Sequence, residues 1–466
     1  MNTKALRQKI LDLAIHGKLV PQHPNDEPAS VLLERIRDEK ERLIKEGKIK
    51  RPKKSKTTSD KPHYENVPFE VPSSWVWTTV GEISQSILYG VSESAKSRGT
   101  YRLLRITDIQ DNTVNWNTVP FTDYEDEKAE AYLLKDGDIL FARTGATVGK
   151  SYLVNNFQEK AIYASYLIRV KTNHYVLPEF VKYFFESGFY WEQVLGNSVG
   201  IGQPNVNGTI LSNLELPIPP IMEQKRIVKE LGKWLSIIDK IEESKGLLQK
   251  NISWAKSKVL DLAIHGKLVP QDPTDEPATE LLKRINPNAE ITSDNGHYQK
   301  LPEGWAVCCL ENVAKVLDNL RKPINSNERN SRIANKHENE LFPYYGATGQ
   351  VGFIDDYLVD GTFLLLGEDG APFLDKYAIK SYPIKGKCWV NNHAHILEPQ
   401  CDFDYLMYYL NHVDYKDYVN GSTRLKLTQS DMRSIIILLP PLTEQKRISV
   451  KVKYLFRLLD SIACNL

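Results

Sequence analysis

Apolar residues in the middle of the chain recur at alternating steps of three and four. Lys245 interrupts this row, whose apolar members include Ile227, Leu231, Trp234, Ile238, Ile241, Leu248, Ile252, Val259 and Leu262. Such a heptad repeat is typical of a helix that pairs with another helix. Pro219 and Pro220 precede the row, and Gly266 follows it as a left-handed C-cap residue. The pattern predicts one helix of about 45 residues, or about 65 Å at 1.5 Å per residue.

A second copy of this helix is divided between the two ends of the chain. The opening Pro-Pro-x-x-Glu-Gln-Lys-Arg-Ile at 219–227 recurs at 440–448, and its apolar row continues through Ile448, Val452, Leu455, Leu459 and Ile462. The closing segment 259–271 recurs at 10–22 with a change only in its first residue. The two pieces together lack only about four residues of a complete helix. We therefore expect a pseudo-two-fold, circularly organised chain in which Leu466 lies close to Met1.

Between these helices the pattern becomes rich in short predicted strands. Equivalent strands begin at Pro72-Ser73-Ser74-Trp75 and at Pro302-Glu303-Gly304-Trp305, so two regions of one fold are expected. Asp26 and Asp275 each open an Asp-Glu-Pro-Ala sequence that predicts a helix with an acidic N-cap. The basic stretch 48–56 is typical of a solvated linker, with a phosphate-contacting arm as the alternative.

The predicted fold class is α+β, with two similar β-rich α/β domains separated by two long antiparallel coiled-coil helices. We call the β-rich domains module 1 and module 2. The predicted boundaries are 1–20 for the N-terminal part of the divided helix, 21–62 for a helical segment and basic linker, 63–216 for module 1, 217–268 for the central helix, 269–296 for a linker, 297–439 for module 2 and 440–466 for the C-terminal part of the divided helix.

Composition narrows the class of protein. A chain of 466 residues with 41% hydrophobic residues can build two or three domains. Its net charge of +1 argues against a uniformly basic DNA-coating protein but allows a local basic face. Five cysteines in no metal-binding spacing suggest free thiols in a cytoplasmic protein. Met1-Asn2-Thr3-Lys4-Ala5 predicts the start of an amphipathic helix rather than a signal peptide, and no apolar run approaches the ~18 residues that a membrane span needs. No membrane association is therefore expected.

Several motifs resemble catalytic sites without meeting their requirements. Gly145 and Gly149 are separated by three residues, whereas a phosphate-binding P-loop needs four, so a turn that presents Arg143, Thr144 and Lys150 is favoured. The His393-Ala394-His395 sequence has no neighbouring carboxylate or cysteine cluster, and a structural strand is favoured over a metal site. A DNA methyltransferase needs an Asn/Asp-Pro-Pro-aromatic loop, and both Pro-Pro pairs lack its flanking residues. Glu368 and Asp369 alone are too few carboxylates for a nuclease.

The duplicated signature, the two unlike modules and the circular repeat resemble the specificity subunit of Type I restriction-modification enzymes over essentially the whole chain. The resemblance implies a non-catalytic chain whose modules are target recognition domains, each reading one half of a bipartite double-stranded DNA site. It also implies that the helices dock two modification (methyltransferase) subunits, which use S-adenosylmethionine, and that restriction (motor and nuclease) subunits add ATP- and Mg²⁺-dependent activity. This chain would hold none of these cofactors and no metal. A self-contained DNA methyltransferase or restriction enzyme, and a coiled-coil adaptor that does not bind DNA, are the open alternatives.

Under this resemblance, polar and aromatic residues on predicted loops of both modules become candidates for DNA contact. Arginine forks and side-chain amides suit guanine and adenine edges. The candidates in module 1 are Arg98, Tyr101, Arg102, Arg105, Arg143, Thr144, Lys150, Gln203 and Asn205. Those in module 2 are Arg321, Lys322, Arg329, Arg332, Lys336, Tyr344, Tyr345, Thr348, Gln350, Asn392, Thr423, Arg424 and Lys426.

Overall fold

A computed structural model describes residues 2–47, 67–110, 112–144, 147–157, 159–196, 206–289, 301–421 and 424–465. The chain divides into two compact units, Met1–Glu243 and Ser244–Leu466. Each unit has hydrophobic cores of its own. In the described ranges, no helix combines the length and apolar character that a membrane crossing requires. The linker 48–56 and the two terminal residues fall outside the described residues, so the proximity of Met1 and Leu466 stays a prediction.

Unit 1 contains module 1, the two helices before it and the first part of the long helix. Its described helices are α1 Thr3–Ile15, α2 Ala29–Lys45, α3 Val80–Ile83, α4 Asp126–Ala129, α5 Pro178–Phe184, α6 Gly188–Gly196, α7 Gly208–Asn213 and the start of α8 Ile221–Ile264. Its strands are β1 Val76–Thr79, β2 Ser84–Tyr89, β3 Tyr101–Leu104, β4 Ile109–Gln110, β5 Thr113–Val114, β6 Phe121–Thr122, β7 Ile139–Ala142, β8 Ser151–Leu153, β9 Ala161–Tyr163, β10 Leu167–Thr172 and β11 Glu215–Ile218.

Unit 2 contains the rest of α8, module 2 and the C-terminal helix. Its further described helices are α9 Ala278–Ile285, α10 Ser326–Ile333, α11 Phe403–His412, α12 Gln429–Arg433 and α13 Leu442–Cys464. Its strands are β12 Ala306–Cys309, β13 Ala314–Val316, β14 Phe342–Gly346, β15 Gly349–Ile354, β16 Val359–Gly367, β17 Ser381–Val390, β18 Ala394–Pro399, β19 Val419–Asn420, β20 Lys426–Leu427 and β21 Ile436–Leu439.

The two modules share one strand arrangement, which confirms that they are similar. An antiparallel ribbon joins the first and last strands of each, β1 with β11 and β12 with β21. The antiparallel order β2-β10-β7-β8 in module 1 matches β13-β18-β16-β17 in module 2. The order β6-β3-β9 likewise matches β15-β14-β17, with β3–β9 and β14–β17 parallel. Strand β17 therefore corresponds to β8 and β9 joined into one.

The long helix forms as predicted, but its buried row differs from the predicted seam. Helix α8 is continuous over 44 residues. The buried apolar positions on α8 and α13 are Ile227, Leu231, Leu235, Ile238, Ile252, Leu260, Ala263, Ile448 and Val452. Ile241, Leu248, Val259, Leu262, Leu455 and Leu459 are half-buried. Trp234 is 43% exposed and Ile462 is 47% exposed, so their assignment to the seam was wrong. In unit 1 the next residue, Leu235, takes the buried position of Trp234.

Each unit pairs its part of α8 with an antiparallel helix. In unit 1, Arg7 of α1 forms an ion pair with Asp239 of α8. In unit 2, Lys256 of α8 forms an ion pair with Asp460 of α13. In each unit the end of the closing segment contacts the signature at the start of a helix, at Gln22–Glu223 and Gln271–Glu444. The ion pairs join earlier residues of the closing helix to later residues of its partner, so the two helices run in opposite directions. The predicted antiparallel helix pairing is therefore present within each unit.

The signature glutamine anchors each helix to its module. In unit 1, Gln224 Oε1 accepts a hydrogen bond from the Leu177 N–H at 2.9 Å. In unit 2, Gln445 Oε1 accepts one from the Asp402 N–H at 2.8 Å. Each side-chain amide also donates to the carbonyl of the first signature proline. Both glutamines are fully buried, so the repeated sequence encodes a structural joint.

The signature glutamate and arginine bind the loop that follows the closing segment. Glu223 accepts a hydrogen bond from Gln22 at 2.6 Å, and Glu444 accepts one from Gln271 at 2.9 Å. Burial raises the pKa of both carboxyl groups. The signature arginines of the two units form ion pairs with Asp26 and Asp275. The prediction that these two aspartates are N-caps was wrong, because the proline two residues later occupies the N-cap position in each helix.

The closing glycines need their small size as well as their backbone conformation. Gly17 and Gly266 have φ of +67° and +65°, which confirms the predicted left-handed C-cap. A Cβ atom would lie 2.5 Å from Pro72 Cγ at the first glycine and 2.4 Å from Pro302 Cγ at the second. The start of each module therefore packs directly on the end of a helix.

Candidate nucleic-acid interface

In module 1, three strand ends bring polar and aromatic side chains to one end of a sheet. The register of β2, β10 and β7 places Tyr89, Tyr166 and Arg143 beside one another at this end. The Arg143 N–H donates to the Tyr166 carbonyl at 3.0 Å. The Val206 N–H donates to the Arg143 carbonyl at 3.2 Å, and the Gly208 N–H donates to the Tyr89 hydroxyl at 2.8 Å. We call this region the reading end of module 1.

The Arg143 side chain is held without an acceptor for its N–H groups. Its guanidinium carbon lies 5.2 Å from the centre of the Tyr89 ring, within the range of a cation–π contact. Its Nε atom is buried and makes no hydrogen bond. Among the described residues, no carboxylate or carbonyl accepts from the guanidinium. Tyr89 and Tyr166 are exposed aromatic residues at this end that the sequence prediction missed.

Two other predicted arginines of module 1 are engaged within the module. Arg102 donates to Glu159 at 2.7 Å and to the Val119 carbonyl at 2.8 Å. Arg105 donates to both carboxylate oxygens of Asp108, at 2.7 and 3.0 Å. These contacts occupy their donor forks, so contact with DNA would require the ion pairs to open.

Tyr101 does not belong to a binding surface. It is only 4% exposed and packs in a core, and its hydroxyl donates to Asp126 at 2.5 Å. This hydrogen bond raises the pKa of the Tyr101 hydroxyl. Its prediction as a DNA contact was wrong, because the polar tip serves the fold.

The remaining candidates of module 1 lie on or beside loops. Arg98 and Lys150 are exposed and Thr144 is partly exposed. Gln203 and Asn205 lie outside the described residues. The segment after Arg143 leads from β7 to the antiparallel β8, whereas a P-loop leads from a strand to a helix. The structure therefore supports the turn that the sequence favoured.

The equivalent end of module 2 carries a cleft in place of the stacked arginine. Glu368 occupies the backbone position of Arg143, since its N–H donates to the His393 carbonyl and its carbonyl accepts from the Leu427 N–H, both at 2.8 Å. The adjoining cleft holds about 770 Å³. Its polar lining residues include Thr348, Asp369, Asn391, His393 and Arg424.

Side chains that line this cleft are paired with one another. Arg424 Nε lies 2.5 Å from Asp369 Oδ1, and His393 Nδ1 lies 3.4 Å from Asp369 Oδ2. Arg424 is nevertheless well exposed, and Thr348 is exposed beside it. The cleft therefore offers a cation, a carboxylate and hydroxyl and amide groups within one concave surface.

A buried network of charged side chains supports this end of module 2. Arg321 forms ion pairs with Glu368 and, at 3.0 Å, with Asp318. Lys426 Nζ lies 3.2 Å from the other oxygen of Glu368. His395, which is fully buried, places Nδ1 2.7 Å from Asp318 and Nε2 3.1 Å from the Leu427 carbonyl. Arg321 is thus a structural residue at the predicted site, and Lys426 is held beside it.

The same cluster is the one group of described residues whose geometry could hold a metal ion. Ligand atoms of Asp318, Glu368 and His395 lie within 4.8 Å of one another. Arg321 and Lys426 already neutralise the two carboxylates, and a cation would have to displace them. The donor set therefore fits an internal ion-pair network better than a metal centre.

Helix α10 contributes arginines of two kinds. Arg332 forms an ion pair with Asp355 at 2.6 Å. Arg329 lies with its guanidinium carbon 4.8 Å from the centre of the Tyr344 ring, and its buried Nε makes no hydrogen bond. Among the described residues, no acceptor meets its other N–H groups. Tyr344 itself is buried, so its prediction as a direct DNA contact was wrong.

Other candidates of module 2 are dispersed over its surface. Lys322, Lys336, Gln350 and Asn392 are exposed, and Tyr345 is partly buried. Lys336 pairs with Glu340 at 3.3 Å. Thr423 lies outside the described residues.

The family model and the similar proteins point to the same family. The sequence profile of the Type I restriction modification DNA specificity domain matches residues 72–249 and 302–464. The chain is 30% identical over 393 residues to the EcoAI specificity subunit of Escherichia coli, which covers 68% of this chain and 63% of that protein, less than two thirds of its length. It is 24% identical to the Escherichia coli EcoEI specificity subunit, over 99% of this chain and 90% of the relative.

A solved structure supports the fold. A chain from a study of complex assembly and conformational transition of a type I R-M system has a TM-score of 0.57 and 18% identity. The similarity covers 85% of this chain and 94% of that chain. The profile match covers well over half of the sequence and falls on both modules with their helices. The chain therefore belongs to the Type I restriction modification DNA specificity domain family.

Proposed function

We propose that this chain is the specificity subunit of a Type I restriction-modification complex and that each module reads one half of a bipartite double-stranded DNA site. The observation that carries the proposal is that both modules repeat the same helix anchors and strand order but have different side chains at the corresponding end of the sheet. The anchors and strand order repeat, whereas Arg143 in module 1 is replaced by Glu368 in module 2. Such a repeat suits a protein that recognises two different sequences. Its relatives are named as specificity subunits, which supports a role in recognition rather than catalysis.

Helix α13 offers a docking surface for a modification subunit. Val450, Tyr454, Leu458 and Ile462 follow one another at steps of four and are all exposed. A continuous exposed apolar stripe of this kind marks a protein interaction site. On this proposal the modification subunits bind S-adenosylmethionine, the restriction subunits bind ATP and Mg²⁺, and this chain recognises the target DNA sequence.

Methylation mapping tests the function directly. The chain is co-expressed with a modification subunit of the same system, and methylated adenines are mapped on plasmid DNA. The expected result is one bipartite motif that depends on this chain. Methylation that is absent, or that keeps its motif without this chain, would contradict the proposal. Val450→Glu with Leu458→Glu should abolish copurification of the modification subunit, whereas Lys453→Glu, an exposed position outside the stripe on the same helix, should not.

A further inference from the structure

Two arginines differ from the other arginines of the modules in how their guanidinium groups are held. Most module arginines place their N–H groups on carboxylate or carbonyl oxygens, namely Arg102, Arg105, Arg169, Arg321, Arg332 and Arg424. Arg143 and Arg329 instead lie against a tyrosine ring, have a buried Nε without an acceptor, and place no other guanidinium N–H on an acceptor among the described residues. Arg169 also lies over a tyrosine ring with an unpartnered Nε, but both of its Nη atoms donate to backbone carbonyls. Each module contains one arginine of this kind among its described residues.

This arrangement is unfavourable for the protein alone. A buried donor without an acceptor has lost its hydrogen bonds to water with nothing in their place, and such groups in folded proteins call for a specific explanation. A tyrosine face offsets part of this cost through a cation–π contact while leaving the N–H edge of the guanidinium unused. The arginine is therefore held in place with its two Nη groups free for a ligand.

The supporting tyrosines are themselves fixed. Tyr89 accepts a hydrogen bond from the Gly208 N–H, which holds its ring at the reading end of module 1. Tyr344 lies within the β14–β15 hairpin, opposite Gly352. A Cβ atom at Gly352 would lie 3.4 Å from Arg329 Nη1, an ordinary van der Waals distance, so the guanidinium lies against this strand. Both forks are thus positioned before any ligand arrives.

We propose that Arg143 and Arg329 are specificity-determining residues that each bind the edge of a guanine, one in each half of the target. This inference rests on the proposed function. A planar fork of N–H donors matches the O6 and N7 acceptors of guanine in the major groove, and this bidentate pairing discriminates against other bases. A fixed, half-buried fork suits base reading, because phosphate contacts tolerate mobile and fully exposed cations.

Selection from a randomised duplex library tests the inference. The full-length chain, assembled with its modification subunit, enriches bound duplexes, and the motif is read by sequencing. We expect a guanine in each half for the wild type. Arg143→Ala should reduce discrimination at one guanine position by about 10- to 100-fold and leave the other half unchanged. Arg329→Ala should do the reverse.

Lysine variants separate base reading from phosphate binding. Arg143→Lys and Arg329→Lys keep the charge but lose the fork, so they should relax the same positions as the alanine variants. Arg105→Ala, whose side chain is bound to Asp108, is the matched control and should keep both halves of the motif. Thermal unfolding of each variant, with midpoints close to that of the wild type, shows that the fold is retained.

The outcomes are distinct. A motif unchanged by both alanine substitutions, or a uniform loss of binding at all sequences, overturns the inference while leaving the proposed function intact. Wild-type selection that yields no motif overturns the proposed function itself. Relaxation of both halves by one substitution overturns the assignment of one arginine to each module.

Discussion

Asp318 belongs to the ion-pair network at the end of module 2 that corresponds to the reading end of module 1. Burial alone would raise the pKa of its carboxyl group, but hydrogen bonds from His395, Gln429 and the Ile396 N–H bring the pKa below its ordinary value. The charged form is therefore favoured in the folded protein. Since a lowered pKa means that the unfolded chain takes up the proton first, stability from this group is complete above about pH 4 and is lost as the pH falls through the folded pKa.

Asp318→Asn should lower the free energy of unfolding of unit 2 at neutral pH by about 2 kcal/mol, because charged hydrogen bonds are replaced by weaker ones. The difference between wild type and variant should shrink as the pH falls from about 5 towards 2. Urea unfolding at a series of pH values measures both quantities. Asp417→Asn serves as a control for the removal of one carboxylate. A difference between wild type and Asp318→Asn that does not change with pH would contradict this account.

Partners of single side chains were the least predictable part of the site. Arg102 pairs with Glu159 and Arg321 pairs with Glu368, and the members of each pair lie far apart in the sequence. Periodicity records which face of an element is buried, but it does not record which distant carboxylate a surface arginine meets. The sequence could therefore nominate arginines as candidates, and only their placement separated the occupied forks from the free ones.

The long helix and the glycines that end its two copies were predictable because local rules govern them, whereas the N-caps predicted at Asp26 and Asp275 were wrong. The heptad repeat of apolar residues and the flanking prolines predicted the length of α8. The glycine after the repeat predicted the left-handed conformation found at Gly17 and Gly266. The repeated Pro-x-x-Trp sequence predicted the equivalent starts of the two modules. The seam was less predictable. Trp234 satisfies the three-and-four spacing, yet its neighbour Leu235 is buried, because the packed surface depends on what lies against the helix.

The glutamine anchors give a matched test of the repeat. Gln224→Leu and Gln445→Leu each leave a backbone N–H and a carbonyl without their side-chain partner. Each should lower the free energy of unfolding of its own unit by about 2 kcal/mol. The exposed neighbours provide controls, and Lys225→Leu and Lys446→Leu should change stability by less than about 0.5 kcal/mol. Unfolding in urea tests this, and clearly unequal losses for the two glutamines would contradict equivalent joints.

The helices should also set the spacing of the target. Seven residues inserted in α8, with seven added to the divided helix, keep the heptad period and lengthen each helix by about 10 Å. The unread gap between the half-sites should then widen by about 3 bp at 3.4 Å per base pair, with the bases read unchanged. Methylation mapping on DNAs with graded gaps measures the preferred gap.

A two-residue insertion is the natural control for this change. It rotates the apolar row away from its partner and should abolish helix pairing and methylation. If the preferred gap stayed the same after the heptad insertion, the helices would not determine the distance.

Each unit has its own cores, so the two modules should act as independent readers. Replacing residues 63–216 with the corresponding region of a relative should change one half of the recognised sequence and leave the other half as it was. Replacing residues 297–439 should change the complementary half. Methylation mapping of both chimaeras checks this result, and a chimaera that alters both halves would show that the modules are coupled.

The backbone beneath Arg143 and Glu368 is the same although the side chains have opposite charges. In each module this residue donates its N–H to the residue before the neighbouring strand, and its carbonyl accepts from the residue that leads into a short helix. Neither bond involves the side chain, so the two modules keep the same backbone arrangement with different residues here. In module 2 a substitution would also break the ion pairs of Glu368 with Arg321 and Lys426. On the proposed function, a change of this side chain alone in module 1, where Arg143 has no ion-pair partner among the described residues, would alter the recognised base while the surrounding strands keep their backbone hydrogen bonds.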